Sequence, residues 1–140
     1  MTDLVTLAEI REAHEALPDI IRRTPVVPLA RDTAEVGSEN LFLKLENLQV
    51  TGAYKVLAAF NMIRVLGPAN LKRGLVMTSS GNFAQAFALA GRMFDVPIVV
   101  VMMDRTSPFK VEAARGYGAE VVFCGDDALA RQPTAERIAA

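Results

Sequence analysis

Three short apolar runs, at residues 74–78, 97–103 and 120–123, constrain the fold of this chain more than any other feature. Two stretches of helical character separate them. The first, residues 83–94, is rich in alanine. The second opens at Ser107-Pro108, with proline in a favoured early helix position, and closes near Gly116 or Gly118. Strand, helix, strand, helix, strand calls for parallel pairing through right-handed crossovers. The runs are continuously apolar rather than alternating, which is the pattern of strands covered by helices on both faces. The predicted fold is therefore α/β, a three-layer open parallel sheet with helices on both faces. A last helix is predicted over residues 126–140, interrupted by Pro133.

The upstream part reads differently. Thr6 and Glu9 have the spacing of a capping box, in which each satisfies a free amide of the other's segment. Leu7, Ile10, Ala13 and Leu17 recur at helical spacing until Pro18 stops the run. Pro25 and Pro28 make residues 23–29 an extended segment or edge strand. Glu39-Asn40 has turn character, and residues 41–46 read as a strand. A helix is predicted over about residues 53–66, with Ala58, Ala59, Met62, Ile63 and Leu66 as its apolar stripe and Gly67-Pro68 as its stop.

Composition narrows the function classes. The chain has 140 residues, 51% of them apolar, one cysteine and a net charge of −1. High hydrophobicity with balanced charge is the opposite of the disordered signature. A single cysteine, Cys124, cannot build a disulfide framework and fits a reducing compartment. Without a basic excess, a nucleic-acid partner has no electrostatic support. The longest apolar run, residues 96–103, holds eight residues and includes Pro97, far short of the roughly 20 a membrane helix needs. Residues 1–9 carry no basic cluster, which argues against a signal peptide, so a cytoplasmic location is expected. Cys124 reads as a small buried apolar residue and His14 as solvated. No cluster of His, Cys or carboxylate has metal-ligand spacing.

Two segments carry candidate chemistry. Lys55 follows Thr51-Gly52-Ala53-Tyr54 and precedes Val56, Leu57, Ala58, Ala59 and Phe60. It is either a solvated surface cation or an amine set in an apolar wall, where a desolvated amine attacks an aldehyde readily. Ser79-Ser80-Gly81-Asn82 follows a predicted strand and opens a predicted helix. In an open parallel sheet ligands bind at that edge, and free amides there cradle an anion. Ordinary capping by Ser79, Ser80 or Asn82 accounts for the same residues.

Taken in order, Arg23-Thr24-Pro25, Leu43-Lys44-Leu45-Glu46, Thr51-Gly52-Ala53-Tyr54-Lys55, Ser79-Ser80-Gly81-Asn82-Phe83-Ala84-Gln85 and Arg115-Gly116-Tyr117-Gly118-Ala119-Glu120-Val121-Val122 resemble one family. It is the serine/threonine dehydratases, pyridoxal-phosphate enzymes of fold type II. The resemblance runs from about Ile21 to Gly125 and implies pyridoxal 5'-phosphate as cofactor. It implies that Lys55 is the lysine that joins the cofactor's aldehyde and that Tyr54 packs beside the ring. Asn82 is implied to bond the ring's 3-hydroxyl. Ser79, Ser80, Gly81 and Asn82 are implied to hold the substrate carboxylate, with Ser80 near the face opposite the lysine. The implied reaction is β-elimination from a small hydroxy amino acid such as L-serine or L-threonine. An amino-acid racemase is the alternative within enzymes. A non-catalytic binding module that keeps the anion loop is the alternative outside them.

The chain departs from the family pattern at Ala53, where serine is usual, at Leu57-Ala58, where Arg-Gly is usual, and at Phe83, where histidine is usual. Its family members are more than twice as long, and their glycine-rich phosphate loop has no counterpart after Gly118. Residues 1–40 are expected to begin the family's large domain and residues 41–140 to form the small α/β domain. Weak cofactor binding and little turnover are expected of these residues alone. Apolar surface at Leu7, Ile10, Leu17 or Val26-Val27 is expected to be left open for a homodimer or a complementing C-terminal chain.

Overall fold

A computed structural model of the chain describes residues 4–29 and 41–140. Helix α1 (Leu7–Glu15) begins at the predicted capping box. The Thr6 hydroxyl accepts from the Glu9 amide at 3.2 Å, and the Glu9 carboxylate accepts from the Thr6 amide at 2.7 Å. The Thr6 amide and the Thr6 hydroxyl both donate to the Glu9 carboxylate and hold it below its ordinary value. None of the α1 residues is buried, so Leu7 and Ile10 stay exposed. Leu17 lies beyond the end of α1 and packs against the core.

Strands β1 (Val26–Pro28) and β2 (Phe42–Lys44) form an antiparallel ribbon, with Val26 opposite Lys44 and Pro28 opposite Phe42. The ribbon takes one strand from each side of the 40/41 boundary. The turn expected at Glu39-Asn40 falls outside the described residues.

Helix α2 (Lys55–Leu71) starts two residues later than predicted and is broken at Gly67 (φ 71°, ψ 160°). Pro68 restarts it, since a proline at the head of a helical turn lacks only an amide that has no partner there. The predicted stripe needs correction. Val56, Ala59, Phe60 and Ile63 are buried, whereas Ala58, Met62 and Leu66 are exposed. Nearly every residue from Val56 to Leu66 is apolar, so hydrophobic periodicity alone could not choose the buried face.

The second half follows the predicted order: β3 (Leu75–Thr78), α3 (Asn82–Phe94), β4 (Ile98–Met102), α4 (Pro108–Gly116) and β5 (Glu120–Phe123). The three strands pair in parallel in the order β3-β4-β5. A 3₁₀ turn at Ala128–Ala130, capped by the Asp127 carboxylate, leads into α5 (Arg131–Ala139). Pro133 does not interrupt that helix, contrary to expectation. It occupies the first turn, where amides have no intrahelical acceptor.

Ile98, Val100 and Met102 of β4 join α2 and α3 in the main core, beside Phe60, Ile63, Ala84, Phe87 and Leu89. Val101 is fully buried but lies outside that cluster. Alternation along the strand places it on the other face, where α5 lies against β3 and β4. Helices thus cover both faces. Gly91 lets α3 approach β4 closely, since a Cβ there would collide with Ile98 and the Val96 carbonyl.

Candidate active site

Lys55 is the first residue of α2, at the end of a helix where a cation is least favoured. Two rings offset this. Its Nζ lies 4.8 Å from the Tyr54 ring centroid and 5.3 Å from that of Phe83. The apolar wall expected from Val56 and Phe60 is instead aromatic, because Val56 and Phe60 turn into the core. Lys55 is half-buried and Tyr54 is exposed.

The backbone before Lys55 is fixed by Gln49, which is 3% exposed. Its Oε1 accepts from the Arg22 and Val50 amides, each at 2.9 Å, and its Nε2 donates to the Arg22 carbonyl at 2.9 Å. Gly52 then closes a turn by donating to the Gln49 carbonyl at 2.8 Å, with a φ of 70° that favours glycine. Beside this turn the Thr24 hydroxyl donates to the Glu46 carboxylate, and Lys44 Nζ donates to the Thr24 carbonyl at 2.6 Å. These clamps tie the extended N-terminal segment to the lysine's loop.

Ser79, Ser80 and Gly81 connect the C-terminal end of β3 to α3. Gly81 is the extended N-cap, and no side chain caps the first turn of α3 among the described residues. The capping account of this loop is thereby set aside, and the helix start keeps its dipole and free amides for an anion. The Gly81 amide donates to Ser79 Oγ at 3.4 Å. Asn82 opens α3 and is exposed, and Phe83 beside it carries the ring that meets Lys55. The Phe83 ring therefore brings Lys55 and Tyr54 to the first turn of α3, which the Ser79–Asn82 loop opens at the C-terminal end of β3.

Two residues here were not singled out from sequence. Gln49 looks like any polar residue after a strand, and no sequence signal marks its burial. Thr106 stands just before the predicted helix opening at Ser107-Pro108, and its hydroxyl is hydrogen-bonded to Ser80 Oγ at 3.2 Å. Its place just past β4, one strand over from Ser80, was the available signal. Cys124 is half-buried rather than buried, its thiol 3.8 Å from the Gly125 carbonyl, and His14 is exposed.

These residues fit the cofactor that the resemblance implies. An amine flanked by two rings suits an aromatic aldehyde. An exposed carboxamide at Asn82 suits a ring hydroxyl, and an uncapped helix start suits a carboxylate.

Comparison with known proteins agrees. The chain is 35% identical to the catabolic L-threonine dehydratase of Staphylococcus aureus over 122 residues, which are 87% of this chain and 35% of that protein. It is 37% identical to the L-threonine ammonia-lyase of Thermotoga maritima over 123 residues, 88% of this chain and 30% of that one. The chain thus spans about a third of the length of these curated relatives. The crystal structure of serine racemase from Dictyostelium discoideum superposes with a TM-score of 0.84 at 37% identity, covering 96% of this chain and 43% of that one. Among the described residues no helix is long and apolar enough to cross a membrane. The family described as pyridoxal-phosphate dependent enzyme matches residues 17–140, and the chain belongs to it.

Proposed function

We propose that this chain carries the lysine-bearing lobe of a pyridoxal-phosphate-dependent ammonia-lyase acting on a small hydroxy amino acid, L-serine or L-threonine. The observation that carries the reading is the position of Lys55 Nζ, which the rings of Tyr54 and Phe83 hold beside the start of α3. Bound pyridoxal phosphate supplies an electron sink that weakens the bonds at the amino acid's Cα. The chain's own residues supply the rest. Lys55 would hold the cofactor, and its free amine would remove the Cα proton. The amides at Ser79, Ser80, Gly81 and Asn82 orient the substrate carboxylate, and Asn82 bonds the cofactor's ring hydroxyl. Ser80 holds a proton on the face opposite Lys55. The proton taken by Lys55 would leave with the β-hydroxyl as water, and a water would return to release ammonia and the keto acid.

The test is reductive trapping. Protein mixed with pyridoxal phosphate and borohydride is digested and mapped by mass. The adduct is expected on the peptide holding Lys55 and absent in Lys55→Ala. No adduct on Lys55 would overturn the reading and favour a non-catalytic binding module.

Racemisation is a second reading, favoured by the racemase among similar structures and by the half-buried Ser80 hydroxyl available as a second proton carrier. Chiral chromatography separates the two, because a racemase yields the D-amino acid and a lyase yields keto acid. We also propose that the exposed Leu7, Ile10 and Val26 join a second copy or a complementing C-terminal chain. Sedimentation showing a monodisperse monomer, with no complementing chain bound, would refute this.

A further inference from the structure

The Ser80 hydroxyl is the group that the proposed function places opposite Lys55, and its orientation is not set by its own loop. That loop has one weak internal bond, from the Gly81 amide to Ser79 Oγ at 3.4 Å. A serine on such a loop has three staggered rotamers open to it. The neighbouring loop, after β4, is braced far better. The Thr106 amide closes a turn on the Met103 carbonyl at 2.9 Å. The Asp104 amide donates to the Gly125 carbonyl at 3.1 Å, and the Asp104 carboxylate accepts from the Gly125 amide at 2.8 Å. The Arg105 amide donates to the Asp126 carboxylate at 2.9 Å. Thr106 is held rigidly by these contacts, and it is half-buried against Ser80.

We propose that Thr106 is a positioning residue for Ser80. The Thr106 and Ser80 hydroxyl oxygens lie 3.2 Å apart and share one hydrogen bond. That bond holds Ser80 in one rotamer, with the rest of its hydrogen-bonding capacity turned to the site. The inference rests on the reading of Ser80 as the proton-holding group opposite Lys55. It also explains how a loop with little internal bonding presents a hydroxyl in one orientation, since the bond crosses from one parallel strand's end to the next.

The test compares isotope-labelled wild type with Thr106→Val, which keeps the branched shape without the hydroxyl, and Thr106→Ser, which keeps the hydroxyl. Three-bond couplings at Ser80 read its χ1 without cofactor or turnover. One rotamer is expected in wild type and Thr106→Ser, and averaged couplings in Thr106→Val. Averaging already in wild type, or a single rotamer in Thr106→Val, overturns the proposal. Thr106→Ala is read the same way if the valine variant does not fold.

Where Lys55 takes the reductive label and turnover of L-serine, expected to be low for these residues alone, is measurable, kcat gives a second reading. Loss of one hydrogen bond's orientation is expected to lower kcat about tenfold in Thr106→Val with KM within about twofold, and Thr106→Ser is expected to restore it. An unchanged kcat overturns the positioning role while the lyase reading stands. A Lys55 that takes no label refutes the lyase reading, and the couplings then decide the Thr106–Ser80 relation by themselves.

Discussion

Lys55 holds its ammonium 5.3 Å from the centroid of the Phe83 ring, so the first residue of one helix is fastened to the first turn of another. The family resemblance implies histidine where Phe83 stands, and this chain presents an apolar ring at the point of contact. A ring facing the lysine shifts the resonances of its Hε protons upfield. In Phe83→Leu that shift is expected to fall by about half, because Tyr54 still supplies the other ring. Stability is expected to drop by about 1–2 kcal/mol, the worth of the cation–π contact together with the edge-on contact of Phe83 with Phe87. Proton NMR and denaturant unfolding check both; an unchanged Hε shift would show that the two groups do not meet.

The face that α2 buries gives a second prediction. Ile63 is 1% exposed and Met62 is 47% exposed, although both lie in the stripe read from sequence. Ile63→Ala is expected to cost about 2–5 kcal/mol through lost burial and a cavity. Met62→Ala is expected to stay within about 1 kcal/mol. Comparable losses in urea unfolding would mean that the helix is rotated from the described register.

Gly91 sets how closely α3 and β4 approach. A Cβ there would collide with the Ile98 side chain and lie 2.7 Å from the Val96 carbonyl oxygen. Gly91→Ala is expected to destabilise by about 1–3 kcal/mol, as overpacked sites do. Adding Ile98→Val should recover only part of this, because the backbone oxygen stays. Full recovery in the double variant would place the whole clash on the side chain.

Glu9 gives a pH dependence with a definite sign. Its carboxyl titrates below its ordinary value because the Thr6 amide and hydroxyl bond the charged form. The cap's contribution is therefore present above the unfolded carboxyl's value and is lost as pH falls through the folded one. Amide exchange in the first turn of α1 is expected to quicken over that window in wild type. In Glu9→Gln it should show no such step. A step that persists would assign the titration to another group.

Legibility from sequence followed the reach of the interactions. The order from β3 to β5 was readable because each strand is a short continuous apolar run and each boundary carries Gly, Pro, Ser or Asn. The Thr6–Glu9 cap was readable for the same reason, being made within four residues. The buried face of α2 was not, because an almost uniformly apolar helix has no periodic signal. Pro133 misled because its cost depends on which helical turn it occupies, and Asp127 and the 3₁₀ turn decide that. In the site, the motif residues were legible one by one. Their convergence through Phe83 was not, nor was the Thr106 bond to Ser80, since both join segments far apart in the chain.

The Gln49 clamp also has a mechanical meaning. Its amide bonds Arg22 in both directions, and Lys55 follows only six residues later, past a single glycine turn. Residues 50–54 are therefore a short strap with one end pinned to the extended N-terminal segment and the other entering α2. Any tug on that segment reaches the amine with little slack to absorb it. Whatever docks against the ribbon of β1 and β2 has a direct lever on the placement of Lys55, though it touches no residue of the site.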